Sequence, residues 1–185
     1  MPEFKTFSKI PRLSRECIIT EKIDGTNAQI LITESGMLFP GSRHRWITPG
    51  HDNFGFAKWV TENNTELFKL GIGTHYGEWW GQGIQRNYGL KEKRFSLFNT
   101  TRWNNAYKAM LLGYENDFPK CCHVVPILYK GLFTTDACDT VLSLLRYKGS
   151  AAVEGFMNPE GIVIFHVASN TLFKKTIKND EGKEK

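Results

Sequence analysis

Apolar positions along the 185-residue chain follow two periods. Residues 17–23 and 28–33 are short runs rich in β-branched side chains, and between them sits Asp24-Gly25, a strong turn or hairpin signal. Residues 75–80, 95–98, 124–129, 161–167 and 171–177 read as further strands. Spacing of three and four predicts helices over 56–70, 103–112 and 134–147. The last has Thr134 or Thr135 as its cap and Val141, Leu144 and Leu145 as its apolar stripe. Strands in hairpins with helices inserted between them predict an α+β domain of antiparallel sheets flanked by helices. Neither G-x-G-x-x-G nor G-x-x-x-x-G-K-[ST] occurs, so the phosphate-cradling loops of the dinucleotide-binding and P-loop folds are not expected.

Composition narrows the class. With 41% hydrophobic residues, five Trp and thirteen Phe, the chain can bury a dense core, and its length fits one domain. No apolar run approaches the ~18 residues that span a bilayer, and MPEFKTFSKI has no signal-type apolar stretch. A cytoplasmic protein with no membrane partner is therefore the expectation. Cys17, Cys121, Cys122 and Cys138 lack metal-ligand spacing and read as reduced, buried hydrophobes. His44, His51, His75 and His166 read as loop or strand-edge residues. The net charge of +5 is concentrated: from Arg86 to Lys108 six cations face only Glu92. Tyr88, Phe95, Phe98, Trp103 and Tyr107 are interleaved there, so Arg86, Lys91, Lys93 and Arg94 are candidate nucleic-acid contacts.

The chemistry centres on Glu21-Lys22-Ile23-Asp24-Gly25-Thr26-Asn27. A lysine at the end of an apolar strand, beside a tight turn that brings backbone amides close, is placed to act as a nucleophile on phosphorus if its amine is neutral. This string resembles motif I of the covalent nucleotidyltransferases, the superfamily of polynucleotide ligases and mRNA capping enzymes, and E-K-x-x-G-T-N resembles its RNA ligase branch. Five further strings match the family's motifs in order: Ser42-Arg43-His44-Arg45-Trp46 motif Ia, Tyr76-Gly77-Glu78-Trp79 motif III, Arg94-Phe95-Ser96-Leu97-Phe98 motif IIIa, Glu160-Gly161-Ile162-Val163 motif IV and Leu172-Phe173-Lys174-Lys175 motif V.

The resemblance implies a nucleotidyltransferase domain, of the ATP-grasp-like ligase kind, over residues 1–178, with 179–185 a charged tail. Lys22 would attack the α-phosphate of ATP to form a lysyl-AMP intermediate. Glu21 would accept from the adenine amine, while Asp24, Gly25 and Asn27 shape the nucleotide site. Arg43 would bind ribose or phosphate, Glu78 a ribose hydroxyl, and Phe98 would stack on the base. Glu160, with Glu78, would hold Mg²⁺ or Mn²⁺. Lys174 and Lys175 would neutralise the phosphate, although alternation lets only one of them reach it. With about ten residues after motif V, a minimal enzyme without a C-terminal domain is expected. The implied activity is ATP-dependent RNA ligation at RNA, or possibly DNA, ends. A DNA ligase core, a GTP-dependent capping enzyme and a nucleic-acid-binding module without turnover stand as alternatives.

Overall fold

The computed structural model describes residues 1–178, so the charged tail at 179–185 lies outside the described residues. Among the described residues nine strands form two sheets. In chain order they are β1 (Glu16–Lys22), β2 (Thr26–Ile32), β3 (Leu38–Ser42), β4 (Gly73–Gly81), β5 (Lys93–Leu97), β6 (Cys122–Val124), β7 (Ile127–Leu132), β8 (Gly161–His166) and β9 (Thr171–Thr176). The helices are α1 (Phe56–Glu62), α2 (Asn64–Leu67), α3 (Thr100–Leu111) and α4 (Thr135–Lys148), with a 3-10 turn at Phe68–Leu70. One sheet has the order β7-β1-β8-β9 and is antiparallel throughout. The other has the order β3-β2-β4-β5-β6 and is antiparallel except for the parallel pair β5 and β6.

The α+β class holds, and four local expectations change. Asp24-Gly25 does not close a hairpin, because β1 and β2 belong to different sheets and the turn carries the chain from one to the other. The strand expected at 124–129 is two strands, for the same reason. Val125 N–H donates to Leu97 O of one sheet at 3.2 Å, and the next carbonyl, Pro126 O, accepts from Glu21 N–H of the other at 3.0 Å. The helix expected at 56–70 breaks at Asn63, whose φ and ψ of −109° and 15° leave the helical region and whose side chain donates to Trp59 O at 2.8 Å. Strand β3 contains Pro40 and Gly41 and escaped prediction; it lies at a sheet edge, where a residue without an N–H is tolerated.

The caps are local chemistry. Thr134 Oγ1 accepts from Ala137 N–H at 3.0 Å as expected, and Asn99 Oδ1 accepts from Arg102 N–H at 3.0 Å, starting α3 three residues before its apolar pattern begins. Asp52 holds the start of α1 with Oδ1 on Ala57 N–H at 2.7 Å and Oδ2 on Lys58 N–H at 3.0 Å.

Each sheet buries one face separately. Ala28, Ile30, Trp79, Phe95 and Leu97 pack against Phe56, Val60 and Trp103 of the helices, and Cys17, Ile19, Ile162 and Ile164 pack under Cys138, Val141 and Leu145 of α4. A third cluster, Ile23, Trp80, Tyr88 and Val125, sits where the two sheets meet. The opposite face of each sheet is left to line the space between them.

Phe95 is fully buried, with its ring centroid 5.1 Å from that of Phe56 and 5.9 Å from that of Trp59, whereas Phe98 is 41% exposed. Truncating Phe95 to Ala should therefore cost about 3–5 kcal/mol of stability in urea unfolding, and Phe98→Ala less than about 0.5 kcal/mol.

Candidate active site

Strand β1 ends at Lys22, directly opposite Gly161 where β8 begins. The ladder therefore delivers the last side chain of one strand beside the residue preceding the other, and Lys22 Nζ donates to Glu160 Oε2 at 2.5 Å. These partners are 138 positions apart in sequence. Both are partly exposed, at 25% and 18%, so the pair opens onto a cleft rather than sitting in the core.

The second sheet supplies the facing wall. Asn27 of β2 pairs with Glu78 of β4, and Glu78 accepts from Gly25 N–H at 3.1 Å and from Asn27 Nδ2 at 3.3 Å. Gly25 must be glycine for this approach: a Cβ there would lie 2.5 Å from Trp79 O and 2.7 Å from Trp80 Cβ. Burial drives the Glu78 carboxyl up from an ordinary 4.5 to about 7, with the nearby Glu160 and Asp24 pushing the same way. The Lys22 ammonium and the Gly25 N–H oppose that rise.

Alternation decides between the paired candidates. Lys174 lies opposite Val163, which lies opposite Thr20, so it shares the Lys22 face and is exposed there. Lys175 lies opposite Ile162 on the other face, where its Nζ donates to Asp139 Oδ1 of α4 at 2.6 Å. Its expected role at the phosphate is thereby corrected: it ties β9 to the helix. Ser96 of β5 lies opposite Glu78, and Phe98, two residues on, continues that face just past the strand, its N–H donating to Tyr76 O at 3.0 Å. Phe95 points into the core, so of the two rings Phe98 is the exposed one. Arg43 is exposed in the turn after Ser42, one residue beyond the pairing of Ser42 with Ala28.

Glu21 departs from its expected place. It is 1% exposed, faces α4 with Ile19 and Cys17, and has both oxygens engaged. Oε1 accepts from Ser150 Oγ at 2.6 Å, and Oε2 accepts from Ala151 N–H at 2.7 Å and Ala152 N–H at 3.0 Å. Burial raises its carboxyl above the ordinary range while these three donors pull it back. Glu21 thus pins the turn after α4, and nothing in the sequence marked Ser150 as its partner. Asp24 binds within the protein as well: its Oδ2 meets Arg86 Nε at 2.8 Å and its N–H donates to Tyr88 Oη at 2.9 Å.

The basic stretch is mostly spoken for. Arg86 holds Asp24, Lys93 Nζ donates to Phe54 O at 2.7 Å, and Arg94 donates to Glu92 Oε1 at 2.6 and 2.8 Å while lying over Trp80. Lys91 is exposed. His75 and His166, expected at edges, are buried: His75 Nε2 is 2.8 Å from Gly71 O and His166 Nε2 2.7 Å from Leu13 O. The four cysteines are free thiols.

For a divalent cation the cleft offers carboxylate oxygens, from Glu160 and Glu78. Among the described residues no group of three or more His, Cys, Asp or Glu side chains could enclose an ion. That donor set suits Mg²⁺ or Mn²⁺ bound mainly by phosphate and water, since Mg²⁺ commonly takes only one or two protein carboxylates.

The raised Glu78 carboxyl has a measurable consequence. Between about pH 4.5 and 7 the folded protein retains a proton that the unfolded chain has released, so this group makes stability fall as pH rises through that window, by roughly 3 kcal/mol in total. Chemical denaturation across this range should show a flatter pH dependence for Glu78→Gln than for the wild type.

Known proteins supply the context for this geometry. The RNA ligase family model matches residues 15–178. No curated protein sequence matches the chain. Among solved structures, Naegleria gruberi RNA ligase with PPi superposes with a TM-score of 0.61 at 19% identity, covering 95% of this chain and 57% of that one. A point mutant of that ligase with ATP and Mn gives 0.63 at 19% identity, with 90% and 51% coverage. Another, with AMP and Mn, gives 0.59 at 19% identity, with 89% and 50% coverage. This chain thus spans little more than half the length of those ligases, and at such identities the likeness is one of fold. No helix among the described residues is long and apolar enough to cross a membrane. The family match takes in both sheets and every residue of the cleft described above, and the chain belongs to the RNA ligase family.

Proposed function

We propose that this protein is an ATP-dependent RNA ligase, which joins a 5′-phosphate end to a 3′-hydroxyl through a covalent lysyl-AMP intermediate. The observation that carries the reading is the ion pair of Lys22 Nζ with Glu160 at the end of β1, within electrostatic reach of the Glu78 carboxyl, in a chain of the RNA ligase family. The Naegleria ligases of the same fold hold ATP or AMP with Mn, which is the chemistry this cleft would take.

Only a neutral amine attacks phosphorus, so Lys22 must lose a proton, and Glu160 Oε2 at 2.5 Å is the acceptor in place. In the proposed step Lys22 Nζ bonds to the α-phosphorus of ATP, the bond from that phosphorus to the bridging oxygen breaks, and pyrophosphate leaves with the electron pair. Lys174, on the same face, offsets negative charge growing on the phosphate oxygens. Phe98 offers a stacking surface to adenine, worth about 1–3 kcal/mol on the scale of base stacking on aromatic side chains. Glu78 accepts from the ribose once ionised, and Arg43 meets ribose or phosphate at the cleft rim. A divalent cation on Glu160 and Glu78 would supply further charge neutralisation at the phosphates. AMP would then pass from Lys22 to an RNA 5′-phosphate, and the 3′-hydroxyl would displace it.

The direct test is incubation with Mg²⁺ and α-labelled ATP. Label should stay on denatured protein, come off in acid and be absent from Lys22→Arg, because arginine keeps the charge without an attacking amine. Label on Lys22→Arg would overturn the assignment.

For the RNA itself, contacts fall to the exposed Lys91 and Arg45 and to the exposed ring of Trp46. Each phosphate contact contributes a slope of about −0.7 in log affinity against log salt for a single strand. End joining should therefore fall steeply as salt rises while self-adenylylation declines far less. Arg45→Glu combined with Lys91→Glu should reproduce that split at fixed salt, and a parallel fall of both activities would place the RNA elsewhere.

A further inference from the structure

Lys22 and Glu160 are both stranded at the ends of their elements. The β1–β8 ladder makes its last pair at Lys22 and Gly161, so nothing in that ladder holds Ile23, Asp24 and Gly25 on one side or Asn158 to Glu160 on the other. Strand ends fray unless other bonds hold them, yet these two ends carry the proposed nucleophile and its proton acceptor. The Glu160 carbonyl accepts from Ile177 N–H at 2.9 Å.

The segment that follows β4 reaches both ends at once. Arg86 sets Nε 2.8 Å from Asp24 Oδ2, two residues beyond Lys22, and its Nη1 donates at 3.4 Å to Asn158 O, two residues before Glu160. Tyr88 accepts from Asp24 N–H at 2.9 Å, while its ring stands edge-on to Trp80 at 4.8 Å and lies 4.4 Å from the ring of Phe156. Tyr88 is 1% exposed. Holding this shape is costly: Gln85, Asn87 and Tyr88 have φ of 43°, 62° and 54°, three non-glycine residues of four in the left-handed region. Backbone strain of that kind persists only where surrounding contacts over-determine it; here these are the ion pair of Arg86 with Asp24, in which the buried Nε makes no hydrogen bond, the Tyr88 hydroxyl on Asp24 N–H, the Tyr88 ring against Trp80 and Phe156, and Arg86 Nη1 on Asn158 O.

We infer that Arg86 and Tyr88 are positioning residues for adenylylation: they form a clamp that fixes the two strand ends so that Lys22 stays aligned with Glu160 and the α-phosphate. The inference rests on the ligase reading above. It removes Arg86 from the nucleic-acid surface suggested by its place in a basic run and gives Tyr88 a task that no sequence motif assigned. The contacts of the clamp run to Asp24 and Asn158, so it acts on the alignment of the attacking amine and leaves nucleotide affinity alone.

The experiment is single-turnover self-adenylylation of Arg86→Ala, Arg86→Lys and Tyr88→Phe over a range of ATP concentrations, with thermal unfolding measured in parallel. Misalignment of an attacking group by about 1 Å costs on the order of 100-fold. The maximal rate of Arg86→Ala should therefore fall by about 10- to 100-fold, with half-saturating ATP changed by less than about threefold. Tyr88→Phe, which keeps both ring contacts and loses only the hydroxyl that holds Asp24 N–H, should fall in the same sense. Methylguanidinium added to Arg86→Ala should restore part of the rate, which it would not do for a protein that had merely lost stability. Folded variants that react at the wild-type rate, or a rise in half-saturating ATP at constant maximal rate, would overturn the clamp. A wild-type protein that takes up no AMP would instead overturn the ligase reading on which the clamp rests.

Discussion

The ion pair between Lys22 and Glu160 is the contact around which the rest of the molecule is arranged. A partly exposed pair at a strand end contributes little to stability by itself. What it needs is the β1–β8 ladder to bring residues 138 apart into register, α4 to bury the other face of that ladder, and the junction of the two sheets to close the cleft over it. Moving β1 by one residue would turn Lys22 toward α4 and Glu21 toward the cleft, because side chains alternate with a period of two. The packing of Cys17, Ile19 and Glu21 under α4 resists that slip.

Two crossings of the chain, at Ile23–Gly25 and at Val125–Pro126, run side by side between the sheets. They explain why the site lies where it does. At each crossing the backbone leaves one ladder for the other within two or three residues, and the apolar side chains there, Ile23 and Val125, pack with Trp80 and Tyr88. The polar groups released by the crossings find partners across the gap: Gly25 N–H on Glu78, Asp24 N–H on Tyr88 and Glu21 N–H on Pro126 O. A buried carboxylate such as Glu78 is tolerated because the Gly25 N–H of the turn and the Asn27 amide of β2 donate to it. The same burial raises its proton affinity into the neutral range.

Charge was a poorer guide than motif order. Six cations between Arg86 and Lys108 looked like a phosphate track, yet Arg86, Lys93, Arg94 and Arg102 end on acceptors or rings of the protein itself. Guanidinium groups carry several donors on a long stem and readily satisfy carbonyls at loop and helix ends. A run of positive residues therefore says little about partners until those internal acceptors are known.

The sequence by itself determined the elements with strong periodicity, the α+β class, the capping of α4 by Thr134 and the ordered motifs that mark Lys22, Glu78, Glu160 and Lys174. These are local signals: a period of two, a hydroxyl ahead of a helix, a lysine beside a tight turn. Alternation along β9 was also legible, and it separates Lys174 from Lys175 without any knowledge of the partner strand. Only the tertiary structure decided which strands pair. It made Asp24-Gly25 a bridge between sheets instead of a hairpin, divided residues 124–129 between two ladders, and turned Glu21 onto Ser150, Ala151 and Ala152. Each of those outcomes depends on hydrogen-bond partners far away in the chain, whose positions no local pattern encodes, because the backbone groups of a turn are satisfied by whatever the fold brings opposite them.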